Sequence, residues 1–110
     1  MIRHIVFFTV RPENLEAVRA GLSILTGIPH ANRLEIGTNV KTDQFDQGID
    51  LVVYGEFDDA AALAAYKAHP LYQDSIDRVK PLREERYAAD YEIGAAVTAA
   101  MSSSAMSWRL

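Results

Sequence analysis

The chain has 110 residues, 49% of them hydrophobic and 24% charged, with no cysteine and with 15 acids against 11 bases, a net charge of −4. A single domain of this size buries about two thirds of the surface its unfolded chain exposes, so it can fold without disulfides or a metal brace. The missing cysteines exclude a disulfide framework, a thiolate zinc site, an iron–sulfur centre and a cysteine nucleophile, and the acidic balance weighs against nucleic-acid and membrane partners.

Met1 leads straight into an apolar run that holds Arg3 and His4, too short for a signal segment, and nothing approaches the ~18 apolar residues of a membrane span. A cytoplasmic location is expected. Residues 2–10 are β-branched and aromatic and predict a strand that stops at Arg11-Pro12. Pro12 suits a first helical position, and Glu13 and Glu16 lie where the helix dipole favours acids. Leu15, Val18, Leu22 and Leu25 then recur at three- and four-residue steps until Gly27 and Pro29 end the helix.

Residues 33–40 alternate, with Leu34, Ile36, Thr38 and Val40 on one face, and predict a second strand. A polar loop over 41–48 leads to a third strand over 50–57. Asp58 or Asp59 can cap the Ala-rich helix that follows over 60–68, which places Leu63, Tyr66 and His69 along one side. A residue before proline avoids helical dihedrals while the proline itself can open a turn, so His69-Pro70 breaks this helix and 71–79 forms an offset second piece. Residues 84–93 alternate again, with Tyr87, Ala89, Tyr91 and Ile93 on one face.

The order β-α-β-β-α-β is that of the ferredoxin-like split unit, an α+β fold with one four-stranded antiparallel sheet and its helices on one side. It takes up residues 1–93. The Ala- and Ser-rich tail, 94–110, with Ser102, Ser103, Ser104 and an isolated Trp108, reads as poorly ordered or as an arm laid on a neighbour.

Helices on one side leave the other face of the sheet to water, and here that face is apolar. In the first strand His4, Val6 and Phe8 point one way and Ile5 and Phe7 the other; in the third, Leu51, Val53 and Phe57 oppose Val52 and Tyr54. Leaving Ile5, Phe7, Val52 and Tyr54 in water forgoes about 1.5–3 kcal/mol each. A second copy of the chain, sheet against sheet in a closed homodimer, is the expected cover. The other candidate is the tail folded back as a lid, for which a serine-rich segment is poorly suited.

His4 in the opening strand, Gly37-Thr38-Asn39 ending the second, Tyr66-Lys67-Ala68-His69-Pro70 in the second helix and Asp90-Tyr91 closing the last strand together resemble the stress-responsive dimeric α/β-barrel family, often called Dabb domains. The resemblance covers residues 1–92 and implies a homodimer whose two sheets form a barrel. One branch of that family resembles plant polyketide cyclases, which close a linear polyketide by aldol condensation without cofactor. Tyr66 matches the tyrosine of that branch and His4 its strand histidine. The branch's His-Pro-x-His reads here as His69-Pro70-Leu71-Tyr72, so Tyr72 stands at the position of the base. A free tyrosine titrates near pH 10, and bringing it to pH 7 costs about 4 kcal/mol. His69, three residues from Tyr66 and on about the same helical face, is the candidate to take over the proton.

These readings converge on an apolar cleft between sheet and helices, lined by His4, Val6, Phe8, Leu63, Tyr66, His69 and Tyr72, that holds a small apolar or aromatic molecule. The competing reading is a cofactor-free cyclase, lyase or, by fold-level analogy, quinol-type monooxygenase in the same cleft, with Tyr66 orienting a substrate oxygen and His4 or His69 moving the proton. His4 is either a pocket-lining histidine or a partly buried one bonded to a core tyrosine. His69, just before a helix break, can instead satisfy terminal carbonyls. Tyr66 and Tyr72 also fit as wall residues with a wet hydroxyl, and His30 lies in a turn facing solvent. The three histidines have no ligand spacing, and no metal or cofactor is expected from side chains. Family resemblance implies one possible cation site, formed by the main-chain carbonyls of Leu25, Ile28 and Ala31.

Overall fold

Alternating burial marks the first strand of the computed structural model, which describes residues 1–99. Strand β1 (Ile2–Val10) hides His4, Val6, Phe8 and Val10, while Arg3, Ile5, Phe7 and Thr9 on its other side stay partly open. With β2 (Arg33–Thr38), β3 (Leu51–Phe57) and β4 (Arg83–Glu92) it forms a sheet of order β2-β3-β1-β4, every neighbouring pair antiparallel. The expected ferredoxin-like fold is present, and the readings placed on Ser102 to Ser104 and Trp108 lie outside the described residues.

Helix α1 (Leu15–Ser23) has a turn of 3₁₀ helix at each end, Pro12–Asn14 and Ile24–Gly27. The tighter turns let backbone groups with no α-helical partner bond locally, Asn14 N–H to the Arg11 carbonyl at 2.9 Å and Ile28 N–H to the Leu25 carbonyl at 3.1 Å. Helix α2 (Ala60–Ala68) starts at Asp59, whose carboxylate accepts the Ala62 N–H at 2.8 Å. Helix α3 (Pro70–Val79) follows after one extended residue, His69, with Pro70 in its first turn. The Ser75 hydroxyl in α3 donates to the Gly21 carbonyl of α1 at 2.9 Å, and this buried bond ties the two helices together.

Val18, Leu22 and Leu25 from the first helical stretch pack with Leu63 and Tyr66 of α2, Val79 of α3 and the inner faces of β1 and β3. Gly55 in β3 is a space requirement: a Cβ there would lie 2.7 Å from Cε2 of Phe57, a fully buried ring.

Two sequence expectations are corrected at element ends. Val40, assigned above to the apolar face of the second strand, is 79% exposed. The strand stops at Thr38 because the Asn39 side chain turns the chain, donating to the Ile49 carbonyl at 2.8 Å and accepting the Lys41 N–H at 2.9 Å. Ile93, expected at the end of β4, instead opens a 3₁₀ turn, and Glu92 accepts both the Gly94 N–H at 3.4 Å and the N-terminal ammonium at 2.9 Å.

The outer face carries two apolar rows that cross three strands. Register places Tyr54, Ile5 and Ala89 side by side in one row and Val52, Phe7 and Tyr87 in the next. Tyr87 is 49% exposed, and Phe45 from the β2–β3 loop, 74% exposed, extends the patch beside Phe7, Val52 and Tyr87. Arg3, Thr9, Arg33, Glu35, Glu56 and Glu85 are polar residues of the same face. All of β4 beyond Arg83 is exposed, so that edge of the sheet is bare on both sides.

Candidate functional site

On the inner face the register creates three parallel rows. Gly55, His4 and Asp90 form one, Val53, Val6 and Ala88 the next, and Leu51, Phe8 and Arg86 the third. Over these rows stand α1, α2 and α3, and between the two layers lies a cavity of about 300 Å³. Its sheet side is His4, Val6, Phe8 and Val53; its helix side is Leu22, Leu25, Tyr66, Tyr72, Ser75, Ile76 and Val79; Lys80, Arg83 and Arg86 complete the lining. Sites for small molecules run from about 300 to 1,000 Å³ and are apolar with a few placed polar groups, which describes this one at the small end.

The polar centre is His4. Its side chain is 1% exposed, and Nδ1 lies 2.5 Å from Oδ1 of Asp90 on the adjacent strand. A carboxylate only accepts hydrogen bonds, so the neutral ring carries its proton on Nδ1 and leaves Nε2 with its lone pair. Burial pushes the pKa of His4 below the ordinary histidine value, partly offset by the hydrogen bond and charge of Asp90, while Lys67 and Arg86 push it down further. The ring is therefore neutral at pH 7 and oriented by an acid. That is the arrangement of a base and its orienting carboxylate. The sequence reading of a bond between His4 and a core tyrosine gives way to this pair, although the His4 ring does sit edge-on to Tyr66, centroids 6.1 Å apart.

Tyr66 is fully buried, with its ring 4.9 Å from Phe57 and 5.2 Å from Tyr72. Burial holds its phenol well above the ordinary tyrosine value; Tyr72 adds to this, and the charge of Arg86 works against it. At neutral pH Tyr66 can only be a protonated phenol, a hydrogen-bond donor and not a base. Val6, Phe8 and Tyr72, named from the sequence, share the cavity with His4 and Tyr66.

His69 and Leu63 do not line it. His69 is the extended residue between α2 and α3, and its Nδ1 accepts the Leu71 N–H at 3.1 Å, so the ring caps the start of α3. It accepts from a helix N-terminus, where the sequence suggested donation to terminal carbonyls. Leu63 is part of the packed core. His69→Ala should lower stability by about 1 kcal/mol through loss of the cap and leave binding in the cavity unchanged; urea unfolding and a ligand titration on the same variant check both halves.

The His30 and His69 rings lie 6.1 Å apart, and among the described residues no group of three His, Asp or Glu side chains gathers to hold a metal. The Leu25 carbonyl, named above for a cation, accepts the Ile28 N–H.

Sequence reasoning gave no site role to four residues: Asp90, which it used only for the family resemblance, and Lys80, Arg83 and Arg86. The alternation of β4 contained the signal for two of them. Once Tyr87, Ala89 and Tyr91 take the outer face, Arg86 and Asp90 must face the helices, and a charged residue on an inner face needs a partner or a purpose.

A dabb family protein of Mesorhizobium loti with a ferredoxin-like fold is 27% identical to this chain, the match covering 83% of this chain and 94% of that one at a TM-score of 0.67. A dimeric ferredoxin-like protein of unknown function from Thermobifida fusca is 25% identical over 82% of this chain and 88% of that one, with a TM-score of 0.69. The solved structure of an antibiotic biosynthesis monooxygenase, 19% identical over 89% of this chain and 100% of that one, shares the fold at a TM-score of 0.68. No curated protein matches, and no helix among the described residues is long and apolar enough to cross a membrane. The stress responsive A/B barrel domain matches residues 2–93, the whole of the β-α-β-β-α-β unit that holds the cavity, and the chain belongs to that family.

Proposed function

We propose that this protein is a homodimer in which each copy binds a small, largely apolar or aromatic molecule in the cavity between its sheet and its helices. The observation that carries the reading is the cavity itself, about 300 Å³ with apolar walls and His4 and Tyr66 among its lining. A cleft of that volume with mostly apolar walls lets an apolar molecule leave water, at about 0.8 kcal/mol for each CH₂ it buries. A thermal-shift screen of aromatic and polyketide-like compounds tests this. Compounds at about 100 times their dissociation constant should stabilise the fold by about 2.7 kcal/mol, and Ile76→Trp, which fills the cavity from its half-buried helix side, should abolish the shift. The reading fails if no compound stabilises the protein or if the shift survives Ile76→Trp.

One observation favours a second reading, cofactor-free proton-transfer catalysis in the same cavity. Asp90 holds His4 in the tautomer that leaves Nε2 as a base, and Tyr66 is kept protonated as a donor to an oxygen on which negative charge develops. Aldol ring closure and quinol oxygenation both begin with removal of such a proton. His4 takes this role in preference to His69, whose Nδ1 is engaged in the α3 cap. On any turnover found, His4→Gln should cost about 10²- to 10⁴-fold in rate, and Tyr66→Phe should cost rate at unchanged fold. Full rate in both variants would make these residues walls.

A further inference from the structure

The lining of the cavity has an unequal charge. With His4 neutral, Lys80 at the end of α3 and Arg83 and Arg86 on β4 are the only charged side chains of the lining among the described residues, and all three are cations. The chain as a whole is acidic, with a net charge of −4, so three cations around one space oppose the average.

The acids nearest to them in sequence and across the strand have other hydrogen-bond or ion-pair partners among the described residues. Glu84 pairs with Arg11 at 3.5 Å, a Glu85 carboxylate oxygen accepts from the Tyr87 hydroxyl, Asp90 is bonded to His4, and Asp77 accepts from Gln73 at 2.8 Å. Among the described residues the Arg83 side chain donates only to a neutral carbonyl, that of Glu84, at 3.1 Å. None of the three cations forms an ion pair among the described residues. Arg86 stands next to Phe8 in the sheet register, and its charge reaches two polar groups of the cavity, drawing the pKa of His4 and of Tyr66 downward. A cation that bears on the buried end of the cavity from a bare strand edge is placed to meet an anion entering there.

We infer that the molecule this cavity takes is a carboxylate on an apolar or aromatic body, its body among Val6, Phe8 and Tyr72 and its carboxylate held by Arg83 and Arg86 with Lys80 beside them. The inference rests on the cavity being a binding site. Guanidinium groups match a carboxylate with two parallel hydrogen bonds, and arginine loses little hydration in making them, so two arginines select this anion over a neutral or cationic group on the same body.

The test uses three probes with one body and three charges, 2-naphthoate, 2-naphthalenemethanol and protonated 2-naphthylmethylamine, titrated calorimetrically into the full chain at low salt and at about 0.5 M salt. The naphthoate should bind about tenfold more tightly than the alcohol and the ammonium most weakly, with the preference for the anion shrinking at high salt. The double substitution Arg83→Gln with Arg86→Gln should remove that preference and leave the affinity of the alcohol unchanged. If the alcohol binds as tightly as the naphthoate, or if the preference survives the double substitution, the anion inference falls and the cavity reading stands. If none of the three binds, both fall together.

Discussion

Replacing Phe7 with glutamate should split the proposed homodimer. Phe7 lies at the middle of the apolar outer rows, flanked by Val52 on β3 and Tyr87 on β4, and no helix among the described residues covers it. A two-fold interface repeats every substitution, so a loss of about 2 kcal/mol at one anchor counts twice and raises the dissociation constant about a thousandfold. The side chain points away from the helices, so Phe7→Glu leaves the inner core of a single chain intact, and far-ultraviolet circular dichroism should remain that of the parent. Sedimentation should show a mass near the 12.2 kDa of one chain where the parent shows twice that. A variant that stays dimeric would show that the outer rows are not the interface.

The second large effect is expected at Asp90. Asp90→Ala removes the only acceptor among the described residues for a buried Nδ1–H and should cost up to about 3 kcal/mol in urea unfolding at pH 7.5, since a stranded buried donor loses its full solvation. Asp90→Asn retains an oxygen acceptor and removes the charge, so it separates the hydrogen bond from the electrostatics. In the parent, His4 has a folded pKa below its unfolded value of about 6.5. The folded state then binds fewer protons than the unfolded state, so the contribution of His4 is fully present above about pH 6.5 and is lost as pH falls towards the folded value. The Asp90 charge raises the His4 pKa, so in Asp90→Asn the folded value drops further and the loss continues to lower pH. A histidine ring titration followed by NMR should show the midpoint of His4 moving down in that variant; a midpoint that stays or rises would refute the pairing.

The strands and helices were legible because their patterns are local. Alternation in residues 2–10, the Asp59 cap and the His69-Pro70 break each depend on neighbours within a few positions, and each stands where the pattern put it. The cavity depended on contacts between distant parts of the chain. His4 and Asp90 are 86 residues apart and meet only because β1 and β4 are antiparallel neighbours in one register. Helical spacing placed His69 near Tyr66, yet the extended backbone before Pro70 takes His69 off the helix that carries Tyr66, and its ring becomes a cap. Leu63 shares a face with Tyr66 in the same way, but it packs into the core, and the cavity opens on the Tyr72 side of Tyr66. Tyr72 was readable as a missing base at a family position; its contact with Tyr66, ring against ring at 5.2 Å, belongs to the packing of α2 on α3.

A cavity that holds a ligand and a cavity that is merely a gap differ in what a titration reports at the residues around it. The most direct measurement is an NMR titration of the labelled protein with 2-naphthoate, following the imidazole signals of His4 and the ring signals of Tyr66 and Tyr72 beside those of Tyr54 and Tyr87 on the outer face. Saturable shifts at His4, Tyr66 and Tyr72, with Tyr54 and Tyr87 unmoved, are the predicted result. Shifts confined to Tyr54 and Tyr87, or none at His4 up to the solubility of the probe, would contradict it.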